Sequence, residues 1–249
     1  MQALKFTLSG KTAFFRRPEV NTYYYFTFGN IHKVALLGMF GAILGYQGYD
    51  NTKELPEFYR KLKDVKVSII PQNKKGYFSK KIQYFNNSVG YASKEQGGNL
   101  IVKEQWLEYP KWDIIVLLDN EEAKKIAESL INHKCIYIPY LGKNDHPAMI
   151  DDVYIVELDE RNIDEERIDS LFPKGSFEEA EDIDIDFYKY QESLPIGLNE
   201  KTGLYEYMTF IHTDLLMDEG TVYTFDSKNI IFYWTRFIAG FIEGGSYGY

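Results

Sequence analysis

The sequence predicts an α+β fold: a ferredoxin-like (RRM-like) domain with a projecting β-hairpin thumb, followed by a small, mainly β C-terminal region. Three observations predict it. Apolar residues alternate or cluster as strands at 3–8, 65–70, 112–118 and 153–158. Helical apolar spacing follows the first and third of these strands, at 31–44 and 121–132. Residues 74–108 read as one long hairpin with a polar, glycine-bearing tip.

Leu4-Lys5-Phe6-Thr7-Leu8 alternates apolar with polar, so Ala3 to Leu8 is the first strand. Gly10 and Lys11 open a loop that runs into a basic turn, Phe14-Phe15-Arg16-Arg17-Pro18-Glu19-Val20-Asn21, and then into the aromatic extended run Tyr23 to Phe28. Asn30 is the expected N-cap of the first helix, whose apolar residues recur from Ile31 to Leu44 at three- and four-residue steps and form one broad face. Gly45 closes it, and Gly38 and Gly41 predict close backbone packing. Leu55 to Lys63 is a short second helix with Pro56 near its first position. Val65 to Ile70 is a strand stopped by Pro71.

The hairpin leads out through Lys80 to Phe85 and back through Leu100 to Trp106. Trp112 to Leu118 is almost wholly apolar, as in the middle of a sheet covered by helices on one side. Asn120 caps the helix Glu121 to Asn132, which has acids in its first turn. Lys134 to Ile138 reads as a strand with Cys135 buried and inert, and Val153 to Leu158 closes the domain. No strand carries the basic, glycine, aromatic consensus of RNA recognition motifs, so base stacking on the sheet is not expected. The expected organisation is a domain over 1–158, with its thumb at about 74–108, and an acidic segment with a β region over 159–249. Strands are expected there at Leu204 to Ile211, Thr221 to Phe225 and Ile230 to Trp234.

The net charge of −9 conceals a division. Residues 1–110 hold 16 Lys and Arg against 8 Asp and Glu, whereas residues 111–249 hold 12 against 29. Such asymmetry suits a chain with one face toward phosphate and the other toward water or a basic protein. Residues 151–200, with 17 acids and 4 bases, read as a surface or linker segment. No apolar run reaches the roughly 20 residues of a membrane span, and the N-terminus lacks a signal-peptide layout, so a cytoplasmic protein is expected. One cysteine excludes an internal disulfide and a thiolate metal cluster. His32, His133, His146 and His212 have no metal-ligand spacing, and no cofactor motif appears; neither metal nor cofactor is expected.

Arg16-Arg17-Pro18 places two guanidiniums before a rigid bend, with Phe14, Phe15 and Tyr23 as stacking faces. It reads as a phosphate-binding corner or, equally, as a surface turn whose arginines pair with Glu19 or nearby acids. Lys80, Lys81, Lys94 and Lys103 among Tyr84, Phe85, Tyr91 and Trp106 give the hairpin the mixture of charge and aromatic surface that suits single-stranded nucleic acid. The Tyr140 to Ala148 loop offers Gly142 for close backbone approach and Lys143 for charge, or is a plain connection. His32 and Lys33 begin the first helix, where they touch phosphate or, with Tyr25, serve a metal-independent ribonuclease.

Phe6-Thr7-Leu8-Ser9-Gly10, Ala13-Phe14-Phe15-Arg16-Arg17-Pro18-Glu19, Gly38-Met39-Phe40-Gly41-Ala42-Ile43-Leu44-Gly45 and Tyr140-Leu141-Gly142-Lys143 together resemble the Cas-five family of type I CRISPR proteins, in the RAMP superfamily. The I-B branch is the most similar, and the resemblance covers most of residues 1–158. It implies a subunit that caps the 5′ handle of CRISPR RNA in a Cascade surveillance complex, touching the backbone and large subunits and, through them, target DNA. It places Arg16, Arg17, Asn21 and Tyr23 near the handle, together with His32 and Lys33. Lys80, Lys81, Tyr84 and Lys94 fall on the thumb, and Gly142, Lys143 and Asn144 in the glycine loop. One branch of the family, type I-C, cuts precursor RNA with a tyrosine and an adjacent Lys-His pair. Here only the reversed His32-Lys33 and His133-Lys134 occur, so a non-catalytic subunit is expected, the alternative being a metal-independent endoribonuclease.

Overall fold

In the computed structural model, which describes residues 1–19, 23–50, 54–88, 90, 94, 100–178 and 187–233, the elements up to residue 158 follow the predicted order except for an added short strand at 12–13 and the absence of the strand expected at 134–138. The first half contains β1 (Gln2–Ser9), β2 (Thr12–Ala13), α1 (Lys33–Leu44), α2 (Glu57–Leu62) and β3 (Val67–Pro71). Then come β4 (Lys80–Asn86), β5 (Ile101–Glu108), β6 (Lys111–Leu117), α3 (Glu121–Ile131) and β7 (Met149–Glu157). The remaining strands are β8 (Asp159–Ile163), β9 (Phe172–Pro173), β10 (Lys189–Leu198), β11 (Tyr205–Thr213), β12 (Gly220–Phe225) and β13 (Lys228–Ile230).

Alternation along β1 sends Leu4, Phe6 and Leu8 into the main core and Ala3 into a second cluster on the opposite face. β1 is central to an antiparallel sheet of order β3-β6-β1-β7. β6 is buried on both sides: Trp112, Ile114 and Val116 join the helix-side core, while Ile115 and Leu117 meet Phe225, Ile230 and Phe232. The face where an RNA recognition motif stacks bases is thus covered by the β12–β13 hairpin, so it offers no platform.

α1 departs from the expected single apolar face. Val34, Leu36, Leu37, Met39, Phe40 and Ile43 are all buried, because the central sheet, α2, α3 and β10 surround the helix. Gly41 faces α2 so closely that a Cβ there would lie 2.4 Å from Phe58 Cβ. Gly45 ends α1 in the left-handed region (φ 77°), as a C-terminal glycine should. The N-cap is His32 rather than Asn30: the Ala35 N–H donates to His32 Nδ1 at 3.2 Å. Asn30 is fully engaged elsewhere, accepting from Trp112 Nε1 and donating to Gly76 O, both at 2.8 Å. Asn120 caps α3 as predicted, its Oδ1 accepting from Ala123 N at 2.9 Å.

Three segments differ more strongly from expectation. Residues 134–138 form no strand, and Cys135 is exposed. Instead Ile136 N and Tyr137 N donate to Ile43 O and Ala42 O, using this segment to satisfy the last carbonyls of α1. Tyr23 to Phe28 forms backbone bridges rather than a full strand. The acid-rich stretch contains most of β7 and all of β8, β9 and β10 and is no mere linker, although its densest part, 179–186, lies outside the described residues. Leu194, Ile196, Leu198 and Phe210 share one cluster with Leu4 and Phe40, so the chain beyond 158 packs into the main core. There the strands form two three-stranded sheets, β10-β11-β9 and β13-β12-β8.

Candidate nucleic-acid interface

The arginine turn is held by its own backbone. Arg17 N donates to Phe26 O and Phe28 N to Phe15 O, both at 2.8 Å, which lays the aromatic run alongside the turn. On the other side of that run, Tyr25 N donates to Lys103 O and Gln105 N to Tyr25 O, both at 2.9 Å, tying it to β5. The corner and the hairpin are therefore one assembly. Arg16 projects at the surface with its guanidinium 4.2 Å from the Tyr25 ring centre, a cation–π contact that holds it extended. Arg17 follows the pairing reading: Nη1 lies 3.5 Å from Glu192 and Nε 3.8 Å from Glu19. Asn21 lies outside the described residues.

Beside Arg16 opens a cleft of about 680 Å³ that no single sequence motif announces. Phe14, Phe15 and Arg16 form one wall, α1 from Val34 to Ala42 forms the floor, and Tyr137, Tyr140 and Gly142 close the far side. Tyr46, Tyr49 and Tyr205 also line it. Aromatic faces at such a density, with a guanidinium at the edge, suit unstacked bases whose phosphates lie at the rim.

Gly142 is needed for the protein's own packing. It adopts φ 86°, and a Cβ would fall 2.0 Å from Phe14 O, a contact with backbone that has no flexible atom to yield. Phe14 N donates to Leu141 O at 3.1 Å, so the loop is docked against the arginine turn. Lys143 Nζ donates to both Glu104 oxygens at 3.1 and 3.3 Å and is 3.4 Å from Asp145. Buried His146 anchors the loop's other end, with Nδ1 2.6 Å from Thr12 Oγ1 and its ring edge-on to Trp106. Asn144 is exposed. Replacing Gly142 with alanine is expected to cost roughly 2–4 kcal/mol, from left-handed strain plus the clash. Urea denaturation measures it as a lower midpoint at unchanged slope; an unchanged midpoint would contradict this packing.

His32 and Lys33 are both buried; His32 lines the inner part of the cleft, whereas Lys33 leaves the interface. His32 lies among the rings of Phe15, Phe28 and Tyr205, where desolvation pushes its pKa down to about 3. Lys33 Nζ donates to Lys63 O at 2.7 Å, and burial lowers its pKa to about 7. His32 binds a proton in the unfolded chain from about pH 6.5 downward but not in the folded one until about pH 3. Stability from this site is therefore intact above pH 6.5 and falls as pH drops from there toward 3. His32→Asn, which keeps a capping oxygen, is expected to flatten that part of the stability–pH curve; a curve of unchanged shape would contradict the assignment.

On the hairpin, Lys103 Nζ lies 3.6 Å from the Tyr23 ring centre, 5.2 Å from Tyr24 and 5.6 Å from Tyr84, and the Tyr24 and Tyr84 hydroxyls are 3.2 Å apart. Tyr23 and Tyr84 are 70 % and 53 % exposed, so they present ring surface around one cation. Lys80 and Lys94 are exposed. Lys81 is partly buried, 4.0 Å from Glu108 and 5.6 Å from the Trp106 ring centre. The structure thus brings Arg16, Tyr23 and Tyr84 onto one assembly with the Gly142 loop, buries His32 at the inner wall of the cleft and Lys33 in the core, and pairs Arg17 and Lys143 with acids. Sequence reasoning missed Tyr46, Tyr49, Tyr137, Tyr140 and Tyr205 as a set. The available signal was the count of 21 tyrosines, but their convergence is tertiary.

Fold and cleft together define a class: an α+β protein with an antiparallel central sheet, a β-ribbon and a tyrosine-lined cleft with arginine at its edge. Among solved structures, it is similar to a chain of a CRISPR RNA-guided surveillance complex, with TM-score 0.52 and 13% identity over 88% of this chain and 91% of that one. It is equally similar to a CRISPR protein from Archaeoglobus fulgidus, with TM-score 0.52 and 14% identity over 94% and 99%. These likenesses establish a shared fold. No protein-family model and no curated protein matches the chain. No helix among the described residues is long and apolar enough to cross a membrane.

Proposed function

We propose that this chain is a non-catalytic CRISPR RNA-binding subunit of a type I Cascade surveillance complex, nearest the I-B branch in its motifs. It caps the 5′ handle of the guide RNA and links the backbone and large subunits, meeting target DNA only through them. The central sheet and its helices are read as a ferredoxin-like domain, and β4–β5 as its thumb. The observation that carries the reading is the cleft beside Arg16, where the arginine turn, α1 and the glycine loop meet although they are far apart in sequence. The placement of Lys33 further supports a binding role, because its Nζ donates to Lys63 O and the side chain does not line the cleft that His32 borders.

Purified chain titrated with repeat-derived RNA in the presence of a chelator tests both halves of the proposal. Salt-sensitive binding without strand scission is expected. Absence of binding would contradict the RNA-binding half, and site-specific cleavage would contradict the non-catalytic half.

A further inference from the structure

Glu192 is a largely buried carboxylate, its side chain 11% exposed, that reaches the arginine turn from β10 in the acid-rich half of the chain. One oxygen, Oε2, is fixed by two neutral donors: Gly29 N at 2.8 Å and the Tyr190 hydroxyl at 2.5 Å. The other, Oε1, lies 3.5 Å from Arg17 Nη1. Gly29 permits this approach, since a Cβ there would lie 3.0 Å from both Glu192 Oε2 and the Tyr190 hydroxyl. Two neutral hydrogen bonds do not cancel a buried negative charge, and the Arg17 guanidinium, seated 5.1 Å from the Phe28 ring centre, answers it.

We propose that Glu192 is a positioning residue of the RNA interface, standing where a phosphate would stand against Arg17 and thereby limiting how many phosphates the arginine turn neutralises. This inference rests on the RNA-binding reading above. A phosphate that approaches Arg17 must displace a carboxylate whose second oxygen is anchored to the backbone. Glu19 lies on the guanidinium's Nε side and is itself bound by the Tyr207 hydroxyl. The acid-rich half of the chain thus adjusts the charge of the basic half.

Glu192→Gln keeps an acceptor for Gly29 and Tyr190 but removes the charge. Binding of a fluorescein-labelled single-stranded RNA of about 12 nucleotides is measured across salt, with the melting temperature as a check on folding. The variant is expected to bind more tightly at low salt, with a slope of log K against log salt steeper by about 0.7, the value for one added phosphate on a single strand. Arg17→Ala in the Glu192→Gln background should remove the increment. Equal slopes for wild type and Glu192→Gln would overturn the inference while leaving the RNA-binding reading intact. Absence of binding by the wild type would overturn both. Should Glu192→Gln fail to fold, Arg17→Ala alone decides: a nearly unchanged slope is expected, and a slope shallower by about 0.7 overturns the inference.

Discussion

Replacing Asp113 with alanine is expected to lower stability by about 3–5 kcal/mol, because it leaves lysine charge without its counterion inside the fold. Asp113 projects from β6 on the side of the sheet away from α1. Its carboxylate accepts from Thr7 Oγ1 at 3.0 Å, Gln72 Nε2 at 2.6 Å and Lys228 Nζ at 3.0 Å, and lies 3.2 Å from Lys5 Nζ. The Lys5 side chain is only 9% exposed. Burial pulls the Asp113 carboxyl up, but the bond and charge of Lys228, the charge of Lys5 and the Thr7 bond outweigh it and hold it below the ordinary aspartate range. Its contribution is therefore present above that ordinary value and is lost only as pH falls through the lowered one. Urea midpoints of Asp113→Ala measure the loss. The pair Lys5→Met with Asp113→Leu should recover part of it, since it removes the more deeply buried cation together with the carboxylate, while Lys228, 35% exposed, can turn toward water. A single variant as stable as the wild type would refute the network.

Arg16→Ala combined with Arg17→Ala is the second large effect, and it falls on binding. Affinity for single-stranded RNA is expected to drop, with the salt slope shallower by about 0.7 for each phosphate that the turn no longer neutralises. Arg16 should account for most of this, because Glu192 and Glu19 already engage Arg17. The melting temperature should stay near that of the wild type, since Arg16 is exposed and stacks on Tyr25 at the surface. Fluorescence anisotropy at several salt concentrations checks it; an unchanged slope would show that phosphate is met elsewhere.

What was legible in the sequence was local. β1, β6, the β4–β5 ribbon and the Asn120 cap were readable because period-two alternation, a continuous apolar run and a capping residue act within a few positions of themselves. Asn30 misled because the capping role depends on which neighbour is free: Trp112 and Gly76 take up Asn30, and His32 caps instead. Lys134 to Ile138 has the composition of a strand, yet no strand pairs with it, and α1's carbonyls claim its N–H groups. β10 was missed because Pro195 and Gly197 interrupt its pattern, which the fold absorbs as a register shift against β11.

The candidate interface was legible in its positive charge and not in its arrangement. Arg16, Tyr23 and Tyr84 are candidates because cations and aromatics suit nucleic acid wherever they fall, and the structure places them on one assembly. Of the acids that engage Arg17 and Lys143, Glu19 and Asp145 lie two residues away and within a local pattern, but Glu192 and Glu104 are 175 and 39 residues away and beyond one. Of the cleft's tyrosines, Tyr46 and Tyr49 follow α1, Tyr137 and Tyr140 come from the segment between α3 and β7 that forms no strand, and Tyr205 begins β11.

Photocrosslinking tests the central claim most directly, with single-stranded repeat RNA carrying 5-iodouridine and mass spectrometry of the crosslinked peptides. The account predicts crosslinks to Tyr49, Tyr137, Tyr140 or Tyr205 in the cleft, reduced when Arg16 is replaced by alanine. Crosslinks confined to the β13-β12-β8 sheet, or none at all, would contradict it.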